Sequence, residues 1–199
     1  MQDWNRFKLT IALIAFSVLV AVMTRFGDDQ LALVKVLISD PRIPGLFGSI
    51  LHGEVWRLLT PVFVHFGLSH LVFNMFWLWD LGRQMEMREG LAKYALLIAV
   101  FAIGSNLPQY LLAGPYFGGM SGVVYGLIGY FWARGKFQPL SGYGLGQQNL
   151  VIALAWFVLC WTGLLGNVAN WAHTGGLVLG FACGFIDARG GFVRRAKRQ

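Results

Sequence analysis

The chain has 199 residues, of which 56% are hydrophobic and only 13% charged, a composition far from the soluble average and a length that suits one domain. The formal net charge of +7 raises the question of nucleic acid, but the basic residues cluster between and beyond long apolar runs rather than forming a solvated patch. These features exclude an ordinary soluble protein and point to a single transmembrane domain over residues 1–199, with short basic tails at 1–8 and 189–199.

Uncharged runs extend over 9–24, 58–79, 94–133 and 137–186. A helix crosses about 30 Å of hydrocarbon with about 20 residues, so the last two runs are each too long for one span. Turn signals at Gly114-Pro115 and at 162–167 divide them. Six transmembrane helices are expected, near 9–26, 68–86, 91–112, 120–135, 148–164 and 168–187, giving an all-α polytopic bundle.

With the N-terminus inside, the cytoplasmic segments hold twelve Lys or Arg residues: Arg6, Lys8, Arg83, Arg88, Lys93, Arg134, Lys136, Arg189, Arg194, Arg195, Lys197 and Arg198. The opposite side holds four, Arg25, Lys35, Arg42 and Arg57. By the positive-inside rule both termini are then cytoplasmic. The basic tail reads as a membrane-surface anchor, and no nucleic-acid partner is expected.

The eight residues before the first span are too few for a soluble domain. That span follows Arg6 and Lys8 as a signal peptide would, but no small-x-small cleavage site precedes the charges at 25–29, so it is kept as a helix. The segment 27–67 mixes apolar pieces with Pro41, Pro44, Gly45, Gly48 and Gly53, which suits a loop lying partly in the membrane interface. Its Trp56-Arg57 pair fits the headgroup level.

The second span opens with His70 and Asn74, four residues apart and therefore on one helix face. Two polar side chains at membrane depth are functional candidates, although hydrogen bonding between helices explains such a pair equally well. His65, before the span, reads as structural. Asp80, three residues before Arg83 near the inner end, reads as its local ion-pair partner. In the third span Ser105, Asn106, Pro108 and Gln109 read as packing and loop-capping residues. Cys160 and Cys183 both fall inside spans and read as small buried apolar residues, so neither a disulfide nor a metal site is expected.

The fourth span opens at Gly118-Gly119-Met120-Ser121-Gly122. A serine there sits among free backbone N–H groups at the positive end of the helix dipole, where a developing anion can be held. Taken alone it is more often a packing residue. Ser121, Gly122, Tyr125, Gly126 and Gly129 share a stripe, and the sixth span repeats the device with His173, Gly176, Gly180 and Gly184. Small residues every fourth position allow two membrane helices to approach closely. Ser121, His173 and the His70/Asn74 pair all lie at the outer ends of helices running inward, so one shallow pocket can gather a nucleophile, a base and hydrogen-bond donors.

Four motifs then resemble those of the rhomboid intramembrane serine proteases, especially the compact bacterial six-helix type. They are Glu54-Val55-Trp56-Arg57, His70-x-x-x-Asn74, Gly119-x-Ser121-Gly122 running into Val123-Val124-Tyr125, and Ala172-His173-x-Gly175-Gly176. The resemblance implies a rhomboid-like bundle in a bacterial inner membrane, with the active site near the periplasmic or extracellular side. It implies Ser121 as nucleophile and His173 as general base, with no carboxylate third member, and Tyr125 stacked on the imidazole. The oxyanion would be bound by His70, Asn74 and the N–H of Ser121, while Gly119 keeps the approach clear. Phe73 and Trp156 resemble the aromatic pair through which the family admits substrate from lipid. Single-span membrane proteins would be the substrates and membrane lipids the surroundings, with no cofactor and no metal. Pro61 and Asp80 depart from the relatives' pattern, as does the lack of a soluble N-terminal domain.

Two other classes compete. A small transporter would line a pathway with these polar residues, but no inverted repeat is evident and the cluster lies off the midplane. A pseudoenzyme would bind membrane helices without cutting them, and the presence of both Ser121 and His173 opposes that.

Overall fold

A computed structural model describes residues 4–196, and among the described residues every regular element is helical. Six long helices carry the fold: α1 (Lys8–Met23), α4 (Leu68–Glu89), α5 (Leu91–Ala113), α6 (Ser121–Phe137), α7 (Gln147–Trp161) and α8 (Asn170–Ala196). They overlap the six apolar stretches expected from the sequence. Two short helices, α2 (Gln30–Val34) and α3 (Gly48–Leu51), sit in the long segment after α1. Among the described residues α5 is the one helix that by length and composition suffices to cross a membrane, and α1 and α7 are shorter apolar helices.

Several helix ends differ from expectation for local reasons. α1 stops at Met23 rather than at 26, because the Thr24 hydroxyl turns back to the carbonyl of Val20 (2.8 Å) and Arg25 and Phe26 take left-handed φ of 47° and 55°. α7 stops at Trp161 rather than 164, where the Thr162 hydroxyl bonds the carbonyl of Leu159 at 2.7 Å. α4 and α5 are joined through the single residue Gly90, whose φ of +78° reverses the chain at a conformation that L side chains rarely adopt. α8 continues through Ala196, so the stretch expected as a basic tail from 189 begins as helix.

α6 is the central element, buried along its length from Gly122 to Phe131. Its closest partner is α8. A side chain at Gly176 or Gly180 would run into the carbonyl oxygen of Gly122 or Gly126, and one at Gly184 would lie 2.5 Å from the carbonyl of Tyr130. The two glycine stripes therefore meet backbone to backbone. Around them Tyr94, Phe101, Leu127, Tyr130 and Phe131 form the fully buried core.

The segment between α1 and α4 is folded rather than draped, and Arg57 corrects an expectation. The residue does not present its charge at a surface but is buried within the protein, 4% exposed. It donates to the carbonyls of Val34 (2.7 Å) and Leu37 (2.8 Å) and to the Glu54 carboxylate (2.6 Å). These three bonds tie the stretch 34–37 to the stretch 54–57, whereas Trp56 faces out. Asn106 on α5 donates to the carbonyl of Leu58 at 2.8 Å, the loop-capping role expected of it. Nearby, the Arg42 guanidinium bonded to Asp40 holds that carboxyl down to about 2.

The ends of α4, α6 and α8 remote from Ser121 meet in a charged cluster. Lys93 lies 2.6 Å from Glu89 and 2.7 Å from Asp187, Arg134 lies 3.4 Å from Glu89, and the Tyr143 hydroxyl bonds Glu89. Asp80 pairs with Arg83 at 3.1 Å, as their spacing suggested.

A second buried acid fixes α1. Glu86 accepts the backbone N–H of Leu9 (2.8 Å) and Thr10 (3.0 Å) and the Thr10 hydroxyl (2.8 Å). α1 has no side-chain cap of its own, so the carboxylate of α4 caps it in trans. Glu86→Ala is expected to lower stability in detergent by about 2–3 kcal/mol, since it strands buried donors. Glu86→Gln keeps an acceptor and should recover most of the loss, measured by thermal unfolding.

Candidate active site

α4, α6 and α8 begin at the same end of the molecule, and their first turns enclose a cavity of about 530 Å³ lined among others by His70, Asn74, Gln109, Ser121, Tyr125 and His173. Ser121 is the first residue of α6. As such its N–H has no carbonyl partner within the helix. The hydroxyl lies 2.8 Å from Nε2 of His173 on the first turn of α8. Close packing of the two glycine stripes is what sets that separation, because it fixes α6 against α8 one turn further along.

The His173 ring is 5% exposed, and its Nδ1 is buried with no hydrogen-bond partner among the described residues. The Tyr125 ring lies against it, centroids 4.7 Å apart and tilted by 39°. The Tyr125 hydroxyl donates to the carbonyl of Ala153 on α7 at 3.2 Å.

On α4, His70 Nδ1 accepts the N–H of Phe66 at 3.3 Å. The proton of the neutral ring is thereby placed on Nε2. Gly119 shows where that nitrogen faces. Its N–H bonds the carbonyl of Pro61 (3.0 Å), its φ is +125°, and a Cβ built on it would meet His70 Nε2 at 2.7 Å and Ser121 Oγ at 3.5 Å. The two atoms therefore flank one small gap that stays open because residue 119 has no side chain. Asn74 is buried and its Nδ2 donates to the carbonyl of His70 at 2.9 Å. One of the two amide hydrogens is used there, and the other is free for a ligand.

His65 is fully buried beside this group, its ring 5.0 Å from that of His70. Its Nδ1 donates to the carbonyl of Phe63 at 3.1 Å, while burial, with the neighbouring His70, pushes its pKa down to about 4. It is neutral and packed, in line with the structural reading of its position.

Phe73 on α4 and Trp156 on α7 face one another at 6.1 Å and 30°, and both are largely exposed. They stand at the outer wall of the cavity, between two helices that share little else. In α7 the buried residues are Ala153 and Cys160. Of the site residues singled out from the sequence, His70, Phe73, Asn74, Ser121, Tyr125, Trp156 and His173 line one cavity, and Gly119 lies beside it against His70 and Ser121. Gln109 was read only as a packing or capping residue, yet it also lines the cavity and bonds the first turn of α8. A polar side chain inside an apolar span was the available signal.

Residues 52–190 match the family described as Rhomboid domain. The chain is 39% identical over 178 residues to Rhomboid protease GlpG of Salmonella paratyphi A (strain ATCC 9150 / SARB42), covering 89% of this chain and 62% of that protein. It is similar to Rhomboid protease GlpG of Salmonella choleraesuis (strain SC-B67) at 40% and of Salmonella typhi at 39%, with the same coverage. It spans about 62% of the length of these relatives. With a family match over most of its length and relatives at this identity, the chain belongs to the rhomboid family.

Proposed function

We propose that this chain is an intramembrane serine protease that hydrolyses peptide bonds in or near the transmembrane segments of single-span membrane proteins. The observation that carries this reading is the 2.8 Å contact between Ser121 Oγ and His173 Nε2 inside a cavity that also holds two further hydrogen-bond donors. Six helices cross a bacterial inner membrane as one rhomboid-like domain, with both termini in the cytoplasm and the cavity toward the periplasmic or extracellular face. Large apolar side chains exposed along the helices, such as Val22, Leu96, Val158 and Ile186, support a lipid surround, as does the asymmetry of Lys and Arg.

In this reading Ser121 Oγ attacks the scissile carbonyl carbon while its proton passes to Nε2 of His173. The negative charge that forms on the carbonyl oxygen falls in the gap between His70 Nε2–H, the free amide hydrogen of Asn74 and the Ser121 N–H. As the C–N bond breaks, His173 returns the proton to the leaving amine. Water, deprotonated by the same imidazole, then hydrolyses the acyl ester on Ser121. No cofactor or metal is required for any of these steps. Substrate enters between α4 and α7, past Phe73 and Trp156, after local unwinding frees the carbonyls of its helix.

Cleavage of a model single-span substrate by the purified protein in detergent tests the reading, together with labelling by a fluorophosphonate that phosphonylates activated serines with loss of fluoride. One cut near the outer end of the span, and label on Ser121 that Ser121→Ala removes, is the expected result. An uncut substrate, or label that survives Ser121→Ala, overturns it.

Each oxyanion donor contributes separately. Asn74→Ala is expected to lower kcat by about 10²–10³-fold, the effect of one such donor elsewhere. KM should change little, because the donor engages an oxygen that is fully charged only in the transition state. Steady-state kinetics on the model substrate provides the check.

A further inference from the structure

A serine–histidine pair without a carboxylate leaves open what holds the imidazole. In this chain Nδ1 of His173 is buried and meets no acceptor among the described residues. The side chain is therefore aimed chiefly by the backbone that carries it and by the Tyr125 ring. That backbone is the first turn of α8, where the N–H of Asn170 bonds the carbonyl of Val168 (2.8 Å) and those of Ala172 and His173 bond the carbonyl of Ala169 (3.0 and 3.1 Å), leaving the N–H of Trp171 without a backbone acceptor. Val168 and Ala169, which precede the helix, offer no side-chain acceptor, and the first turn contains no acidic residue. The Asn170 amide is turned away, donating to the carbonyl of Cys160 on α7 at 3.1 Å.

The missing acceptor comes from another helix. Oε1 of Gln109, on α5, accepts the N–H of Trp171 at 3.0 Å and of Ala172 at 3.2 Å, across 62 and 63 residues of sequence. Gln109 is 6% exposed, so these bonds are shielded from water. Two backbone donors converging on one atom fix the amide orientation, since only the oxygen can accept. The anchored residues immediately precede His173. α5 is itself fixed to α8 at this level, because a side chain at Gly175 would lie 2.6 Å from the carbonyl of Gly104 and 2.8 Å from Pro108.

We propose that Gln109 is a positioning residue for the histidine of the dyad: by capping the first turn of α8 from α5, it holds His173 in register with Ser121, the task an aspartate performs in a triad. The inference rests on the protease reading above. Gln109 touches neither the scissile bond nor the nucleophile. Its effect is on the angle and distance of the imidazole, where a displacement of about 1 Å can cost about 10²-fold in rate.

Three variants of the full chain in detergent test it. Gln109→Met fills the same space without an acceptor. It is expected to lower kcat about 10- to 100-fold with KM within about twofold, and to speed hydrogen exchange at the amide of Trp171, and less at that of Ala172, which keeps the carbonyl of Ala169, while protection in α4 and α6 is unchanged. Gln109→Glu offers an acceptor oxygen in either protonation state and should keep kcat within about threefold of wild type. Ser121→Ala reports on the reading beneath. If Ser121→Ala is silent but Gln109→Met turns over like wild type, or leaves exchange at 171–172 unchanged, Gln109 is not the positioning residue and the dyad stands. If Ser121→Ala cuts as well as wild type, the dyad reading falls and this proposal with it. Should Gln109→Met fail to fold, Gln109→Glu decides: a folded Glu variant with turnover as low as an acceptor-free site overturns the proposal, and one with near wild-type turnover supports it.

Discussion

Ser121→Ala and His173→Ala are each expected to reduce kcat by about 10⁴-fold or more, and the double variant by no more than either alone. The non-additivity follows from the geometry. The hydroxyl and Nε2 are 2.8 Å apart, and in the proposed mechanism a serine without a base or a base without a serine leaves the same residual, supplied by His70, Asn74 and binding. The residual should therefore be similar in all three variants and should vanish only when the oxyanion donors are removed as well. In the proposed mechanism the base acts as neutral imidazole, so activity should fall as pH drops below the pKa of His173 in the free enzyme. A pH profile of kcat/KM that stays flat through that range would remove His173 from the mechanism, and equal transport-like behaviour of all variants would revive the pathway reading. Among the described residues no carboxylate orients the ring, and turnover slower than that of a triad protease is expected for that reason.

The residues of the cavity were readable because each is placed by local rules. His70 and Asn74 share a face by their spacing of four, Ser121 and His173 open helices, and the glycine stripes repeat every third or fourth residue. Given those rules, the convergence of three helix starts follows from alternating helix direction, and the structure brings the same side chains around one cavity. What was not readable depends on contacts between distant segments. Arg57 looked like an interfacial cation, and only the folded loop shows carbonyls of Val34 and Leu37 arranged around its guanidinium. The caps that Glu86 gives α1 and Gln109 gives α8 join residues more than sixty apart, on helices whose mutual rotation no periodicity states. The end of α1 was misplaced for the converse reason. Thr24, Arg25 and Phe26 form a local break made by a hydroxyl and two left-handed residues, and none of these is glycine or proline.

Gly180→Ala is expected to be among the most damaging single-methyl changes in the chain. The new Cβ would run into the carbonyl oxygen of Gly126 and lie 2.8 Å from its Cα. Both are backbone atoms of a buried helix, so no rotamer change can relieve the contact, and α8 must move away from α6. Helices in lipid gain no hydrophobic driving force by associating, and close packing is a main source of their affinity. Separation along this seam should therefore cost about 3 kcal/mol, at the upper end of the range for overpacked cores. It should also cost activity in the fraction that still folds, because Ser121 and His173 sit on the two helices being pushed apart, two turns away. Gly190, also in α8, has nothing within 4 Å of the corresponding position. Gly190→Ala should be neutral or slightly stabilising through helix propensity, by up to about 1 kcal/mol. Thermal unfolding of the two variants in the same detergent separates packing from propensity. An unchanged midpoint for Gly180→Ala would mean that α6 and α8 are not in backbone contact, and the 2.8 Å separation of the dyad would then need another origin.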